Sequence, residues 1–378
     1  MGSIVAIDVR ELLTLSTIKG IGPNRLRTLV SRFGDPRAVA KATAKELATT
    51  EGIERKLASH IAHFYRDSGP ARVKKYIDEQ LSRLNKVDGR IITFWDKEYP
   101  DNLKKIYDPP PFLFVRGEFS DEDKFSIAIV GTRTPTAYGT HMAERFASGL
   151  ARLGIPVISG LARGIDTTAH TATLKAGGTT IAVIGSGIDV IYPPENKQLV
   201  SRIIEHGAVV SEFEMGAKPD AGNFPRRNRI ISGIALATVV VETGIDGGAM
   251  ITATTALDQN RDVFAIPSAV SDKRRSGTNF LIKDGKAVLT ESIDDILQEL
   301  GPRLKRVLRD TELTRAQAPP DLTLFERRLY DAMGDEPVHI DALADRSGLA
   351  TSEALVHLLS LEFKGVVKQM PGKNFVRI

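Results

Sequence analysis

Apolar residues recur at helical spacing through the first 85 positions. Leu12, Leu13, Leu15, Leu26, Leu29, Val30 and Phe33 fall on that grid, with short polar breaks between groups, which predicts a bundle of helices. From Phe125 the period changes. Short apolar runs at Ser126–Val130, Pro156–Ser159, Thr179–Ile184, Ala208–Glu212, Ala237–Glu242 and Asp262–Ile266 alternate with stretches of helical pattern. Helices are expected over Tyr138–Leu153 and Thr167–Ala176 and near Asn196–Glu205, and a last strand and helix over Ala287–Thr290 and Glu291–Leu300. Near-continuous apolar strands, separated by helices, predict a parallel sheet covered on both faces. The fold class is therefore α/β: a Rossmann-like open, mainly parallel sheet. Between the two patterns, the aromatic and proline-rich stretch Asp96–Glu118 reads as an irregular connector leading into an edge strand.

After position 300 the pattern changes again. Residues 301–320, ending Ala316-Gln317-Ala318-Pro319-Pro320, read as a linker. Helices are then expected near Leu322–Met333, Ile340–Asp345 and Ser352–Phe363, followed by a hairpin around Pro371-Gly372-Lys373. Three helices closed by a hairpin is a winged-helix plan. The expected organisation is a helical domain over 1–88, of helix-hairpin-helix or SAM-like type, the sheet domain over 89–300, a linker over 301–320 and a winged helix over 321–378.

Composition narrows the function classes. The chain of 378 residues, 42% hydrophobic and 26% charged, has a globular balance and room for two or three domains. It contains no cysteine, which excludes disulfides, thiolate metal sites and cysteine nucleophiles, and fits a reducing compartment. No apolar run approaches the roughly 18 residues of a membrane helix, and the N-terminus does not read as a secretory signal. A cytoplasmic protein is expected. Residues 1–90 carry 17 Lys/Arg against 10 Asp/Glu, whereas residues 319–378 carry 7 against 9. The helical module could therefore attract a polyanion, or simply present a solvated surface. The acidic winged helix argues against a strong grip on DNA, and its third helix has only Lys364 as a nearby cation, so a protein-contact or regulatory role is an equal reading.

Candidate chemistry lies in glycine-containing turns. Gly20-Ile21-Gly22-Pro23 resembles the turn of a helix-hairpin-helix, whose ligand is a backbone phosphate of DNA, and Gly52-Ile53-Glu54-Arg55-Lys56 reads as a degraded second copy. A plain turn between packed helices is the alternative. In an open parallel sheet, ligands bind beyond the carboxyl ends of the strands, and four such ends are distinctive here. Gly131, Thr132 and Arg133 close the first strand. Gly131 allows close backbone approach and Arg133 offers a forked charge suited to phosphate. Ser159, Gly160, Arg163 and Gly164 form a second anion cradle. Asp166 and His170 follow it on one helical face, where a turn anchor with a packed polar partner competes with an acid–base or metal role. In Phe224-Pro225-Arg226-Arg227-Asn228-Arg229, cations at a helix start oppose the helix dipole and call for an anionic partner. Arg227, Asn228 and Arg229 are the candidates there. Gly247 and Gly248 open a fourth turn, as a phosphate site or as tight-turn geometry. None of these loops carries a nucleophile–base pair, a metal-ligand motif, a dinucleotide fingerprint or a Walker A loop, so no catalytic residue, metal or cofactor is expected.

Taken together, these stretches resemble the DNA-processing protein A family (DprA, also called Smf). The matching text is Ala128-Ile129-Val130-Gly131-Thr132-Arg133, Ser159 through His170, Gly178 through Val183, Ile191-Tyr192-Pro193, Phe224 through Arg229 and Ser276-Gly277-Thr278-Asn279. The resemblance implies a non-catalytic protein of the bacterial cytoplasm. Such a protein binds single-stranded DNA, protects it during natural transformation, helps load the recombinase RecA, and dimerises through its Rossmann-like domain. Gly131, Arg133, Ser159, Gly160, Arg163, Arg227 and Arg229 fall on the family's basic-pocket motifs. Two positions depart from its text: Ser268, where glycine is common, and Gly247-Gly248, where Ser-Gly is usual. Tyr138, Phe224 and Phe280 are the aromatics nearest these motifs, and packing is the expected role of each. An enzymatic alternative is a nucleotide phosphoribohydrolase of the lysine-decarboxylase-like group. Here, however, Gly247 through Thr252 lacks that group's Gly-Thr and the acid that follows it. A pure scaffold, with the winged helix contacting a regulator, is a third reading.

Overall fold

The computed structural model describes residues 7–304, 322–333, 337–364, 366–370 and 372–377. They fall into two compact units, one within Met1–Leu308 and one within Arg309–Ile378.

The first unit opens with six helices: α1 (Val9–Ser16), α2 (Pro23–Phe33), α3 (Pro36–Lys41), α4 (Ala44–Leu47), α5 (Arg55–Arg66) and α6 (Gly69–Lys86). Their starts are set by local chemistry. Asp8 and Asp35 accept the N–H groups of Glu11 and Arg37, Thr43 and Glu46 form a capping box, and proline occupies the first turn of α2 and α3. Leu12, Leu15, Leu26, Leu29, Val30 and Ile61 are buried together between the helices. The turns before α2 and α5 rest on Gly20 at φ 97° and Gly52 at φ 73°, a region that strains other residues. Arg25 ties the two turns together. Its Nε donates to the Gly52 carbonyl and its Nη1 to that of Gly20, each at 2.9 Å.

Nine strands follow: β1 (Arg90–Thr93), β2 (Phe112–Gly117), β3 (Ile127–Val130), β4 (Val157–Ser159), β5 (Thr180–Val183), β6 (Gly207–Ser211), β7 (Ala237–Val240), β8 (Asp262–Ala265) and β9 (Val288–Leu289). They form one sheet in the order β1-β2-β6-β5-β4-β3-β7-β8-β9. Every pair from β6 to β9 is parallel, whereas β1 and β2 add antiparallel. A short helix, α7 (Asp101–Lys104), separates β1 from β2. The parallel strands are linked by α8 (Ala137–Arg152), α9 (Ile165–Lys175), α10 (Lys197–Glu205), α11 (Asn223–Ile234), α12 (Gly248–Asp258) and α13 (Gly277–Lys283), and α14 (293–304) closes the unit.

Both faces of the sheet are covered. Ile127, Ile129, Val239 and Phe264 pack under α8, α9 and α14. The alternate positions Ala128, Val130 and Val240 pack with Ile231 of α11 and Ala253 of α12. Two covered faces explain why the parallel strands are nearly continuous apolar runs. The helical module shares this core, because Leu13, Ile77 and Leu84 join Phe114, Ile184, Ile203 and Val209. The strand expected at the sheet edge, β2, is instead interior, between β1 and β6. The edge is β1, whose four residues include only two fully buried positions, too few for a legible period.

The second unit holds α15 (Leu324–Ala332), β10 (Val338–His339), α16 (Ile340–Ser347), α17 (Thr351–Phe363), β11 (Val367–Met370) and β12 (Asn374–Arg377), with strand order β10-β12-β11. This is a winged helix. Glu326, buried at the start of α15, accepts from Ser360 and Lys364 at 2.7 Å each and so locks α15 to the end of α17. The linker expected over 301–320 begins helically, since 301–304 belong to α14. Its remainder, 305–320, lies outside the described residues, as does Pro371 of the hairpin. No helix among the described residues is long and apolar enough to cross a membrane.

Candidate nucleic-acid interface

The carboxyl ends of β3, β4 and β7 open onto a cleft of ≈ 440 Å³, bordered by the start of α11 and of α12. Its first wall follows β3. A Cβ on Gly131 would lie 2.5 Å from Ile165 Cγ1 and 3.0 Å from the Glu242 carbonyl, so only glycine lets this loop pass between α9 and β7. The Thr132 N–H donates to the Glu242 carbonyl at 2.7 Å, and the Ile165 N–H to that of Thr132 at 3.2 Å. Fixed in this way, the loop projects Arg133 into solvent. Its guanidinium stands 4.8 Å from the Phe224 ring centroid and makes no hydrogen bond or ion pair among the described residues.

The second wall follows β4. Gly164, at φ 77°, precedes α9, and any Cβ there would collide with the Thr132 carbonyl. Arg163 is exposed, bidentate to Glu195 at 2.6 and 3.2 Å and 5.8 Å from the Tyr192 ring centroid. A narrower pocket between Arg133, Arg163, Tyr192 and Phe224 continues the cleft. Ser159 is buried, its hydroxyl donating to the Ile129 carbonyl at 2.6 Å. Gly160 has no room for a Cβ, because Arg227 Nη1 would lie 2.6 Å away.

The arginine run lies inside α11, which starts at Asn223, so helix phase sends its members to different places. Arg227 is buried beneath the cleft. Its Nη1 donates to the carbonyls of Gly160 and Val183, and its Nε donates to Asn228 Oδ1 at 3.2 Å. Burial pulls its pKa down to about 10 against the pull of Asp166, with Arg133 adding to the fall. Arg229 turns away from the cleft into ion pairs with Glu212 and, at 3.1 Å, Asp108. The anionic partner expected for Arg229 is therefore internal. Arg226, absent from the expected contacts, is the exposed member, 5.2 Å from the Phe213 ring centroid.

Asp166 lines the cleft floor and anchors the turn, accepting from the Ala162 N–H at 3.3 Å. Burial raises its pKa despite Arg227 and the surrounding donors. His170 does not pair with it. The fully buried imidazole meets Thr180 Oγ1 through Nδ1 at 2.7 Å. That hydroxyl donates onward to the Val157 carbonyl, so Nδ1 is the donor. Burial, with Arg227, lowers the imidazole to a pKa of about 3 and keeps it neutral. Among the described residues no three His, Cys, Asp or Glu side chains converge to hold a metal.

The fourth wall is the start of α12. Gly247 precedes it, and a Cβ on Gly248 would meet nothing within 4 Å. An eleven-residue helix therefore begins at the cleft, its positive end favouring an anion. The residue readings missed Glu242, buried at the end of β7. It accepts from Thr136 Oγ1 at 2.6 Å and pairs with Arg275, pinning the start of α8. Nothing local in the sequence signals that role. Phe224, expected to be packing, lines the cleft with the guanidiniums of Arg133 and Arg227 at 4.8 and 5.9 Å from its ring centroid. Tyr138 donates to the Pro267 carbonyl at 3.1 Å, and Phe280 neighbours Lys286.

An open, mainly parallel sheet with glycine and arginine loops at its carboxyl edge, preceded by paired helical hairpins and followed by a winged helix, defines a Rossmann-like protein with helix-hairpin-helix and winged-helix accessory modules. Comparison with known families makes the class specific. Residues 90–301 match the model of DNA recombination-mediator protein A, 314–373 that of the DprA winged helix domain, and 12–65 that of a SAM-like helix-hairpin-helix tandem. The chain belongs to the DprA/Smf family. It is 32% identical to Protein Smf of Synechocystis over 97% of this chain and 98% of that one. The structure of DprA from Streptococcus pneumoniae superposes with a TM-score of 0.65 at 30% identity, covering 77% of this chain and 98% of that one. A structure of DNA processing protein A from Helicobacter pylori, described for its single-stranded DNA binding mode, gives 0.52 at 27% identity, covering 57% and 96%.

Proposed function

We propose that the cleft binds the phosphates of single-stranded DNA without sequence readout, and that the protein protects such strands and helps load RecA in the cytoplasm during transformation or recombination. The observation that carries this is Arg133. An exposed guanidinium with no anionic partner among the described residues is held by a glycine-dependent loop, over an aromatic ring and opposite a helix N-terminus. Phosphate oxygens supply what that arrangement calls for. Phe224 offers a face to a neighbouring base, and a flexible strand, unlike a duplex, can follow a narrow cleft. The Helicobacter relative's strand-binding mode supports the same ligand class. In this reading Gly131, Thr132, Gly160, Gly164, Gly247 and Gly248 give backbone access, Arg133 and Arg163 contact phosphate, and Asn228 offers its amide. Ser159, Arg227 and Arg229 act through the walls they hold. The role is non-catalytic and the protein works as a homodimer through its sheet unit.

The test is fluorescence anisotropy of a labelled oligo-dT, with a duplex control and Arg133→Glu and Arg163→Glu variants. Single-strand binding that salt weakens and both variants reduce at least tenfold is expected. Undiminished binding by Arg133→Glu would overturn the site, and release of free base from nucleoside monophosphates would favour the hydrolase.

A further inference from the structure

Beyond the phosphate cleft, a second cavity of ≈ 390 Å³ opens where the helical module meets the sheet, between α1, α6, β2 and the loop after β6. Its walls are aromatic: Tyr76 from α6, Phe112 from β2 and Phe213 from the loop. Its charged groups are two carboxylates, with Ser16, Gln80 and Asn223 as its neutral polar side chains. Glu214 is exposed and accepts from the Tyr76 hydroxyl. Glu212 has a side chain 5% exposed, one oxygen held by Arg229 and the other, Oε1, buried without a hydrogen-bond partner among the described residues, which leaves Glu214 as the accessible acceptor. Aromatic faces with acceptors and no cation on the wall suit a flat ring that carries N–H donors.

The position selects the ligand. Strands lie about 4.8 Å apart, so the end of β6 is roughly 15–20 Å along the sheet edge from the junction of β3 and β7. The 212–224 segment contributes to both: Glu212, Phe213, Glu214, Ala217 and Asn223 line the second cavity, Phe224 the cleft. Asn223 lines the second one and donates to the Gly185 carbonyl in the wall of the narrower pocket. Arg226 stands between, exposed, over Phe213.

We infer that this cavity is a nucleobase subsite: it takes one unstacked base bearing an exocyclic amino group, from the strand whose phosphates cross the cleft and Arg226. The inference rests on the strand-binding reading above. Stacking on Tyr76, the exposed ring of the wall, accepts any base, whereas a carboxylate acceptor favours the amino group of cytosine over the carbonyl of thymine. The carboxylates also keep phosphate out of the pocket, which fixes what enters.

Anisotropy titrations of equal-length oligo-dC and oligo-dT test this, with Glu214→Ala and Tyr76→Ala variants of the full chain. The wild type is expected to prefer oligo-dC by about fivefold, the discrimination one good base contact gives. Glu214→Ala should abolish the preference while leaving oligo-dT affinity unchanged. That unchanged affinity distinguishes a lost base contact from a loosened loop, which would weaken both ligands equally. Equal wild-type affinities, or a preference that persists in both variants, would overturn the subsite with strand binding intact. Failure of either oligonucleotide to bind would overturn the strand-binding reading itself.

Discussion

Among single side chains, the same residue type serves opposite ends. Arg133 and Arg163 face solvent, whereas Arg227 braces the ends of β4 and β5 from beneath by capping the Gly160 and Val183 carbonyls. Arg227→Met should therefore cost about 2–4 kcal/mol in urea unfolding, because two buried acceptors lose their donor and Asp166 loses its neighbouring charge. On the proposed phosphate role of Arg163, Glu195 is its competitor, and since the pair is half-exposed its loss should barely affect stability. Glu195→Gln should tighten oligo-dT binding about two- to fivefold at low salt. His170 provides a pH signature. Its folded pKa of about 3 lies below the unfolded value of 6.5, so the unfolded chain binds the extra proton between those limits. The contribution is fully present above pH 6.5 and falls as pH drops toward 3, about 2 kcal/mol between pH 6.5 and 5. Unfolding curves of His170→Asn should show that much less pH dependence. Of this level the sequence revealed the arginine run but not its sorting. At about 100° per residue, the start of α11 at Asn223 decides that Arg226 points out and Arg227 in, and the partner of Arg229 lies 17 positions away.

Elements explain how the helical module bears on the cleft. Tyr76, Gln80 and Arg83 lie three or four residues apart on α6, hence on one face, and each holds the loop after β6 or its support. Gln80 donates to the Met215 carbonyl at 3.2 Å and accepts its N–H at 2.7 Å. Arg83 pairs with Asp189 at 3.2 Å, and Asp189 accepts the Gly216 N–H at 2.7 Å. The chain from this loop runs directly into α11. Gln80→Ala should therefore speed amide hydrogen exchange across 212–222 at least tenfold, leaving the cores of β3 and β7 protected. No periodicity could have revealed this grip, since it joins residues 135 positions apart in sequence. The parallel strands were legible for the converse reason: burial on both faces leaves a continuous apolar run. β1 was not, because four residues, two of them polar, are too few to carry a period.

For the whole molecule, charge placement decides what kind of binding the protein can show. The chain carries only +4 overall, so a general attraction to polyanions is weak and affinity must come from local cations. Two exposed arginines, Arg133 and Arg163, line the cleft and its extension, and a third, Arg226, is exposed on α11. On the winged helix, Lys364 bonds Glu326 and α17 exposes Val356 and Phe363 at 64% and 93%, an apolar rather than a basic surface. A single strand neutralised by three cations releases counterions with a slope of log Kobs against log salt of about −2. Arg133→Ala should reduce that slope by about one third and weaken all sequences alike, whereas removal of residues 309–378 should leave it unchanged. Salt titrations of the three proteins on one oligo-dT decide the matter. A slope steeper than about −4 in the full chain, relaxed by the truncation, would place the grip in the winged helix. A slope near −2 that only Arg133→Ala changes would place it at the carboxyl edge of the sheet.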